Sequence, residues 1–465
     1  MKSVFRKVSV LLVLLMLCSA FGALIACTPA EEAPHKPTNS YAIVQGYEWG
    51  PAVPKVVLEF ADVVSGVAND TFSVKFGSTQ RTVVAAYVSD ENGVKSDAAS
   101  KYVTIEMTVK YGEASPFSYD MSTSRNKWVD KISFSVTVNQ GKSFTVGKST
   151  YVAGEKYSCS VTEANRKVPQ TATWVKDTVT DGSITLQRAA WAPKGATTDS
   201  GKNPLIIWLH GAGEGGTDID IDLLGNEVTA LTTENETNVQ KYFTTNGLAG
   251  AYVLAVQTPT MWMDRGDGQY NQSGEGKQES MYTATLWKAI TSYVEGNSDI
   301  DTNRIYIGGC SNGGYMTMNM AIEHGDYFAA FYPICEAYMD SRIPDETINK
   351  LATYNIWFLQ SEDDGTVNPK GTTIPTYYRL LQAGATNCWF TFTQNVKGTD
   401  DPNASYWGKP AGCYDGHWSW IYAFNDQVNK RFDPAQVTSQ DYLTSANCTV
   451  EANMWNWLSQ QSKAA

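Results

Sequence analysis

Histidine is scarce in this chain, with four in 465 residues. Chemistry that needs an imidazole base therefore has few candidates, and elimination among His35, His210, His324 and His417 becomes a usable tool. Basic charge is short as well. Thirty-six Lys and Arg stand against 48 Asp and Glu, for a formal charge of −12. Such a surface repels nucleic-acid phosphates and anionic headgroups, so neither is an expected partner. A zinc-type cysteine spacing, a P-loop and a dinucleotide fingerprint after a strand are also missing, so the expected chemistry uses no metal and no cofactor. No internal repeat of blade or solenoid length is evident. Hydrophobic residues at 42% and aromatics at 12% are enough for real cores, and the length calls for two domains.

The first 26 residues carry Lys2, Arg6 and Lys7, then an apolar run from Val8 to Ala26, the pattern of a secretory signal peptide. The run ends in Leu24-Ile25-Ala26-Cys27, which resembles the lipobox of bacterial lipoproteins. That resemblance implies cleavage before Cys27 and a diacylglycerol on its sulfur. The protein is then expected outside the cytoplasm, lipid-anchored to the bacterial cell membrane without spanning it. Residues 27–39, rich in Pro, Glu and Ala, read as a tether. This address permits disulfides among the six later cysteines, whose pairing the sequence leaves open.

Residues 40–175 read as short alternating strands: Lys55 to Phe60, Thr71 to Phe76, Thr82 to Val88, Val103 to Tyr111, Lys131 to Val138 and Ser143 to Val146. Polar turns such as Asn139-Gln140-Gly141-Lys142 separate them, and the expected fold is an immunoglobulin-like β-sandwich. Its expected role is structural, packed on an enzyme, with polysaccharide binding as the alternative.

Residues 176–465 change character. Ile184 to Trp191, Pro204 to Leu209, Ala251 to Val256, Asn355 to Gln360 and Trp389 to Thr393 read as strands. Ser280 to Glu295, Met316 to Ile322, Pro375 to Ala383 and Glu451 to Gln461 read as helices. The alternation predicts an α/β fold around a doubly wound, mostly parallel sheet. Its centre is Arg304-Ile305-Tyr306-Ile307-Gly308-Gly309-Cys310-Ser311-Asn312-Gly313-Gly314-Tyr315. A buried strand runs into Gly309-x-Ser311-x-Gly313 and then a helix, the nucleophile elbow of an α/β-hydrolase. The glycines let strand and helix approach around a strained serine.

A serine hydroxyl needs a base. His35 lies in the tether, and His210 sits in a glycine-rich turn suited to building a loop. His324 ends the elbow helix, where positive charge is favoured. His417, in Tyr414-Asp415-Gly416-His417-Trp418, remains as the base. The acid should follow a strand between Ser311 and His417, and Gln360-Ser361-Glu362-Asp363-Asp364 supplies it. Asp364 is preferred and Asp363 held in reserve. Oxyanion donors are expected from the N–H of Asn312 and from Ala212 or Gly211 in His210-Gly211-Ala212-Gly213. The aromatic loops carrying Trp262, Met263 and Tyr270, and Trp407 and Trp418, are expected to line the substrate pocket.

The stretches Trp208-Leu209-His210-Gly211-Ala212-Gly213-Glu214, Asp301-Thr302-Asn303-Arg304-Ile305-Tyr306, Gly309 to Tyr315 and Gly416-His417-Trp418-Ser419-Trp420 resemble secreted bacterial α/β-hydrolase esterases. That family includes feruloyl esterases and polyhydroxybutyrate-depolymerase-like enzymes, and the two-part plan is similar to esterases with an N-terminal immunoglobulin-like domain. The Asp-x-x-Val of Asp364 to Val367 matches the acid loop of such hydrolases, while Gln360-Ser361 replaces a common His-Gly. Some relatives bridge the cysteine before the serine to one directly after the histidine; here Trp418 holds that second position, and Cys413 lies nearby instead. The resemblance implies a carboxylic ester substrate, small or polysaccharide-linked, of short-chain acyl or feruloyl type. A prolyl-oligopeptidase-like peptidase and a silent surface binding protein are the alternatives.

Overall fold

The computed structural model describes residues 36–113, 115–232, 239–267 and 278–463. The signal peptide, Cys27 and Tyr270 lie outside the described residues. Among the described residues no helix is long and apolar enough to cross a membrane.

The N-terminal part is a β-sandwich. One sheet joins Arg166–Lys167, Asn39–Tyr47, Gly50–Glu59, Tyr102–Met107 and Val83–Ser89 in that order. Another joins Lys156–Val161, Ile132–Val138, Phe72–Phe76 and Thr79–Arg81. Alternation explains the packing: in Ile132–Val138 every second residue is buried, so one face of the strand meets the core. Phe60, Phe72, Phe144 and Tyr151 pack there mostly edge-on and tilted, with centroids 4.9–5.5 Å apart. Each such pair contributes about 0.5–1.5 kcal/mol beyond area burial.

The C-terminal part is an eight-stranded sheet. Its strands are β1 (Val175–Asp181), β2 (Ile184–Trp191), β3 (Asn203–Leu209), β4 (Tyr252–Gln257), β5 (Ile300–Cys310), β6 (Ala330–Ile334), β7 (Ile356–Ser361) and β8 (Cys388–Thr393). They run in the order β1-β2-β4-β3-β5-β6-β7-β8. Pairings from β4 through β8 are parallel, and β1 and β2 join antiparallel. Helices α1 (Ile219–Gly225), α2 (Thr283–Gly296), α3 (Asn312–His324), α4 (Asp345–Leu351), α5 (Thr373–Gln382), α6 (Trp420–Phe424) and α7 (Met454–Ser459) cover its faces. Strands β3, β4, β6 and β7 are buried along their whole length, as sheets covered on both faces require. This is the α/β-hydrolase fold, preceded by an immunoglobulin-like sandwich. The six cysteines from Cys159 onward are free, so Cys310 and Cys413 are not bridged.

The sandwich docks on the loops that carry the site. Glu48, 1% exposed, reaches across and accepts from the Thr399 N–H (2.8 Å), the Asp400 N–H (3.0 Å), the Tyr414 hydroxyl (2.8 Å) and Asn425 Nδ2 (2.8 Å). A hairpin of Phe117–Asp120 and Arg125–Trp128 meets the turn after β3. There Asn126 donates to Glu214 (3.0 Å), Arg125 to the Pro259 carbonyl, and the Trp128 indole to Asp218 (2.7 Å). Removing the Glu48 carboxylate takes the acceptor from four donors, of which the Tyr414 hydroxyl is buried while Thr399 and Asp400 are exposed residues. Glu48→Ala is expected to cost about 1–3 kcal/mol. Urea unfolding measures the loss, and kcat/KM should fall with it because the released loop leads to His417.

Candidate active site

Ser311 stands between β5 and α3 at φ 54° and ψ −112°. This is a strained conformation for a residue with a Cβ, held here by its surroundings. The Ser311 N–H donates to Ile334 O (2.9 Å), and the Ser311 carbonyl accepts from the Tyr315 N–H (2.8 Å). Crowding explains the flanking glycines. A Cβ at Gly309 would lie 2.3 Å from the Leu209 carbonyl oxygen, and one at Gly313 would lie 1.9 Å from the same atom.

That carbonyl ends β3, whose following turn forms a donor loop. His210 is fully buried, with Nδ1 2.5 Å from the Gly211 carbonyl and Nε2 accepting from the Thr258 N–H at 3.0 Å. Burial lowers its pKa to about 4, so it stays neutral and acts as a bracket for the loop. The Gly211 N–H already donates to Asn226 Oδ1 (3.3 Å). Ala212, the other donor expected from this loop, opens the short turn that follows, and Asn312 stands in the first turn of α3.

The expected base and acid meet directly. His417 Nδ1 lies 2.9 Å from Asp364 Oδ2 and 3.1 Å from Oδ1. Asp364 also accepts from the Thr366 and Val367 N–H groups (2.9 Å each) and from Gln360 Nε2 (3.3 Å). Burial would raise its pKa, but the hydrogen bonds and the His417 charge outweigh this and lower it. Asp363 points elsewhere, accepting from Lys409 Nζ (2.8 Å) and the Ser361 hydroxyl (2.7 Å). The structure therefore pairs His417 with Asp364 and leaves Asp363 in an ion pair. Among the described residues no hydrogen bond joins Ser311 Oγ to His417, although both side chains open on the same rim, at the carboxyl ends of β5 and β7. Such bonds commonly tighten only when substrate is bound.

Sequence reasoning missed one neighbour. Cys335, directly after β6, is fully buried at φ 37° and brings its sulfur against His417. Burial would lower the His417 pKa, but the Cys335 sulfur and the Asp364 carboxylate reverse this and raise it. The neutral base then accumulates only above the ordinary histidine range. The acid limb of a kcat/KM–pH profile is accordingly expected above about pH 6.5.

The expected pocket residues divide. Trp262 is a correction: it is 0% exposed, its ring lies 5.2 Å from His210, and its backbone N–H donates to Asn312 Oδ1. It supports the oxyanion loop from beneath, because the apolar ring fills the core under that loop. Trp407 is the opposite correction, 94% exposed and standing in solvent. Met263 is half-buried against the main core. Trp418 is half-buried in an aromatic group with Tyr111, Tyr406, Tyr414 and Trp420, and Trp420 lies 6.0 Å from His417. His324, at the end of α3, stacks on Trp287 at 4.0 Å, and burial lowers its pKa.

Glu336, beside Cys335, is buried and its pKa rises to about 8 through burial, opposed by hydrogen bonds from the Tyr338 N–H and the Thr373 hydroxyl. A folded-state pKa raised above the unfolded value contributes stability below about 4.5 that is lost as pH climbs through the folded value. Glu336→Gln keeps both contacts without the charge, its carbonyl accepting from the Tyr338 N–H and its amide donating to the Thr373 hydroxyl. Its Tm is expected to match wild type near about pH 5 and exceed it near about pH 9, which a melting series across pH measures.

The strand order, the elbow and the base–acid pair are those of a serine hydrolase. Residues 39–152 match the esterase Ig-like N-terminal domain family, and residues 265–368 match the prolyl oligopeptidase family. Among solved structures, a thermostable esterase is similar over 91% of this chain and all of its own, at 22% identity and a TM-score of 0.63. A ferulic acid esterase is similar over 54% of this chain and 93% of its own (14% identity, TM-score 0.37). Est1E from Butyrivibrio proteoclasticus is similar over 47% and 87% (16% identity, TM-score 0.31). No curated protein matches the chain.

Proposed function

We propose that this chain is a serine carboxylesterase working through an acyl-enzyme on Ser311. The observation that carries the reading is the His417–Asp364 pair at 2.9 Å beside the strained serine elbow at Ser311. In the proposed cycle Ser311 Oγ attacks the ester carbonyl and its proton passes to His417 Nε2. Asp364 holds the imidazole by Nδ1 and stabilises the imidazolium. The N–H groups of Asn312 and Ala212 take the oxyanion. His417 returns the proton to the leaving alcohol, and a water activated by the same base then releases the acid.

The substrate is a small or polysaccharide-linked ester, short-chain acyl or feruloyl. Support for an ester over a peptide comes from the N-terminal domain, a β-sandwich of the esterase-associated family with no propeller to screen peptides. The prolyl oligopeptidase match favours a peptidase as the second reading. The protein acts outside the cytoplasm, held to the membrane by a lipid on Cys27; the leader sequence supports this. Hydrolysis of p-nitrophenyl acetate, butyrate and octanoate and methyl ferulate, beside matching p-nitroanilides, tests the proposal. Esters are expected to be cleaved far faster. Cleavage of amides alone would overturn it.

A further inference from the structure

Cys335, Asp364 and His417 come from three loops, after β6, after β7 and late in the chain. One ligating atom from each lies within 4.8 Å of the other two. Among the described residues this is the one group of three metal-ligating side chains so arranged. Thiolate, imidazole and carboxylate are the donors that zinc takes in tetrahedral sites, with bonds of about 2.0–2.3 Å. Three protein ligands leave a fourth position for water. Around one ion with bonds of that length the three atoms would stand about 3.5 Å apart, against separations of up to 4.8 Å here. Asp364 is already oriented by the Thr366 and Val367 N–H groups, which fix the carboxylate on the imidazole. The ion enters from the mouth of the site, where Ser311 is 9% and His417 8% exposed.

We propose that Cys335, Asp364 and His417 form a binding site for a thiophilic divalent cation such as Zn²⁺, superimposed on the hydrolytic machinery. Binding releases to solvent the proton of the Cys335 thiol and the proton carried by the imidazole nitrogen that the ion takes, and the ion then occupies that nitrogen. The cation therefore removes the base and switches hydrolysis off, reversibly, without touching Ser311. The switch rests on the esterase reading; the binding itself does not.

The test uses the mature chain and two probes. Cd²⁺ titration follows the ultraviolet thiolate-to-metal band, which is independent of activity. Wild type and Ser311→Ala are expected to develop the band at one ion per chain, and Cys335→Ala to lack it. Ala takes up the same backbone conformation as Cys, so the variant loses little beyond the sulfur; should it not fold, Cys335→Ser carries the same comparison. Zn²⁺ is expected to inhibit wild-type hydrolysis and EDTA to restore it. Each variant is compared with its own uninhibited rate, and the half-inhibitory concentration should rise at least about tenfold in Cys335→Ala. An unchanged band and unchanged Zn²⁺ sensitivity in Cys335→Ala would overturn the proposal, as would the absence of any band in folded wild type.

Discussion

Ser311→Ala is expected to lower kcat for p-nitrophenyl butyrate by about 10⁴-fold or more, with the far-ultraviolet circular dichroism unchanged. The size follows from the division of labour. Without Oγ no acyl-enzyme forms, and the oxyanion N–H groups are left to assist direct attack by water, a residue of catalysis far below the covalent route. The fold has little reason to respond. Ser311 is an N-cap without a side-chain cap bond, and its backbone bonds to Ile334 and Tyr315 survive the change. A drop accompanied by lost structure would show instead that the hydroxyl is structural.

Asp364→Asn gives the second large effect, about 10⁴-fold in kcat. The Asn amide would present a donor to His417 Nδ1, favouring the tautomer with its proton on Nε2, where it cannot accept from Ser311. The Thr366 and Val367 N–H groups still have an oxygen to bond, so the loop should keep its shape. Asp363→Asn is the matched comparison one residue away. It weakens a partly exposed ion pair to Lys409, worth up to about 1 kcal/mol, and activity should change by less than about tenfold. Kinetics of the two variants side by side separate the acid of the site from its neighbour.

The legibility of this site was uneven for physical reasons. Ser311 and His417 could be found because the elbow demands glycines at fixed positions and because only four histidines compete. Asp364 was preferred over Asp363 only through the resemblance of Asp-x-x-Val to an acid loop, since adjacent acids in one turn otherwise differ only in direction. What directs them apart is Lys409, far along the chain, which draws Asp363 away. Gly211 and Ala212 are likewise equivalent in sequence, and nothing local to the loop reveals that the Gly211 N–H bonds Asn226. Strand β6 went unread: it has five residues and contains Pro333, which lowers any strand reading. Cys335 was lost with it, although it lies against the base. Trp262 and Trp407 show the converse problem. Both are aromatic residues in loops, and whether such a ring is buried or bare depends on partners such as His210 that no local pattern reveals.

The docking of the sandwich was the least legible of all. Glu48 and its partners at Thr399 and Asn425 are more than 350 residues apart in sequence, and nothing near Glu48 distinguishes it from a solvated acid. The hydrogen-bonded hairpin at Asn126 carries the same lesson, because its contact with Glu214 ties the sandwich to the oxyanion loop.

The most direct test of the central claim is covalent. A p-nitrophenyl alkylphosphonate, which mimics the tetrahedral stage of ester hydrolysis, is added to the folded protein, and the adduct is located by mass spectrometry. One label per chain on Ser311 in wild type, and none in Ser311→Ala or His417→Ala, is the result predicted for a serine nucleophile activated by His417. Labelling at another residue, or undiminished labelling of Ser311 in His417→Ala, would contradict it.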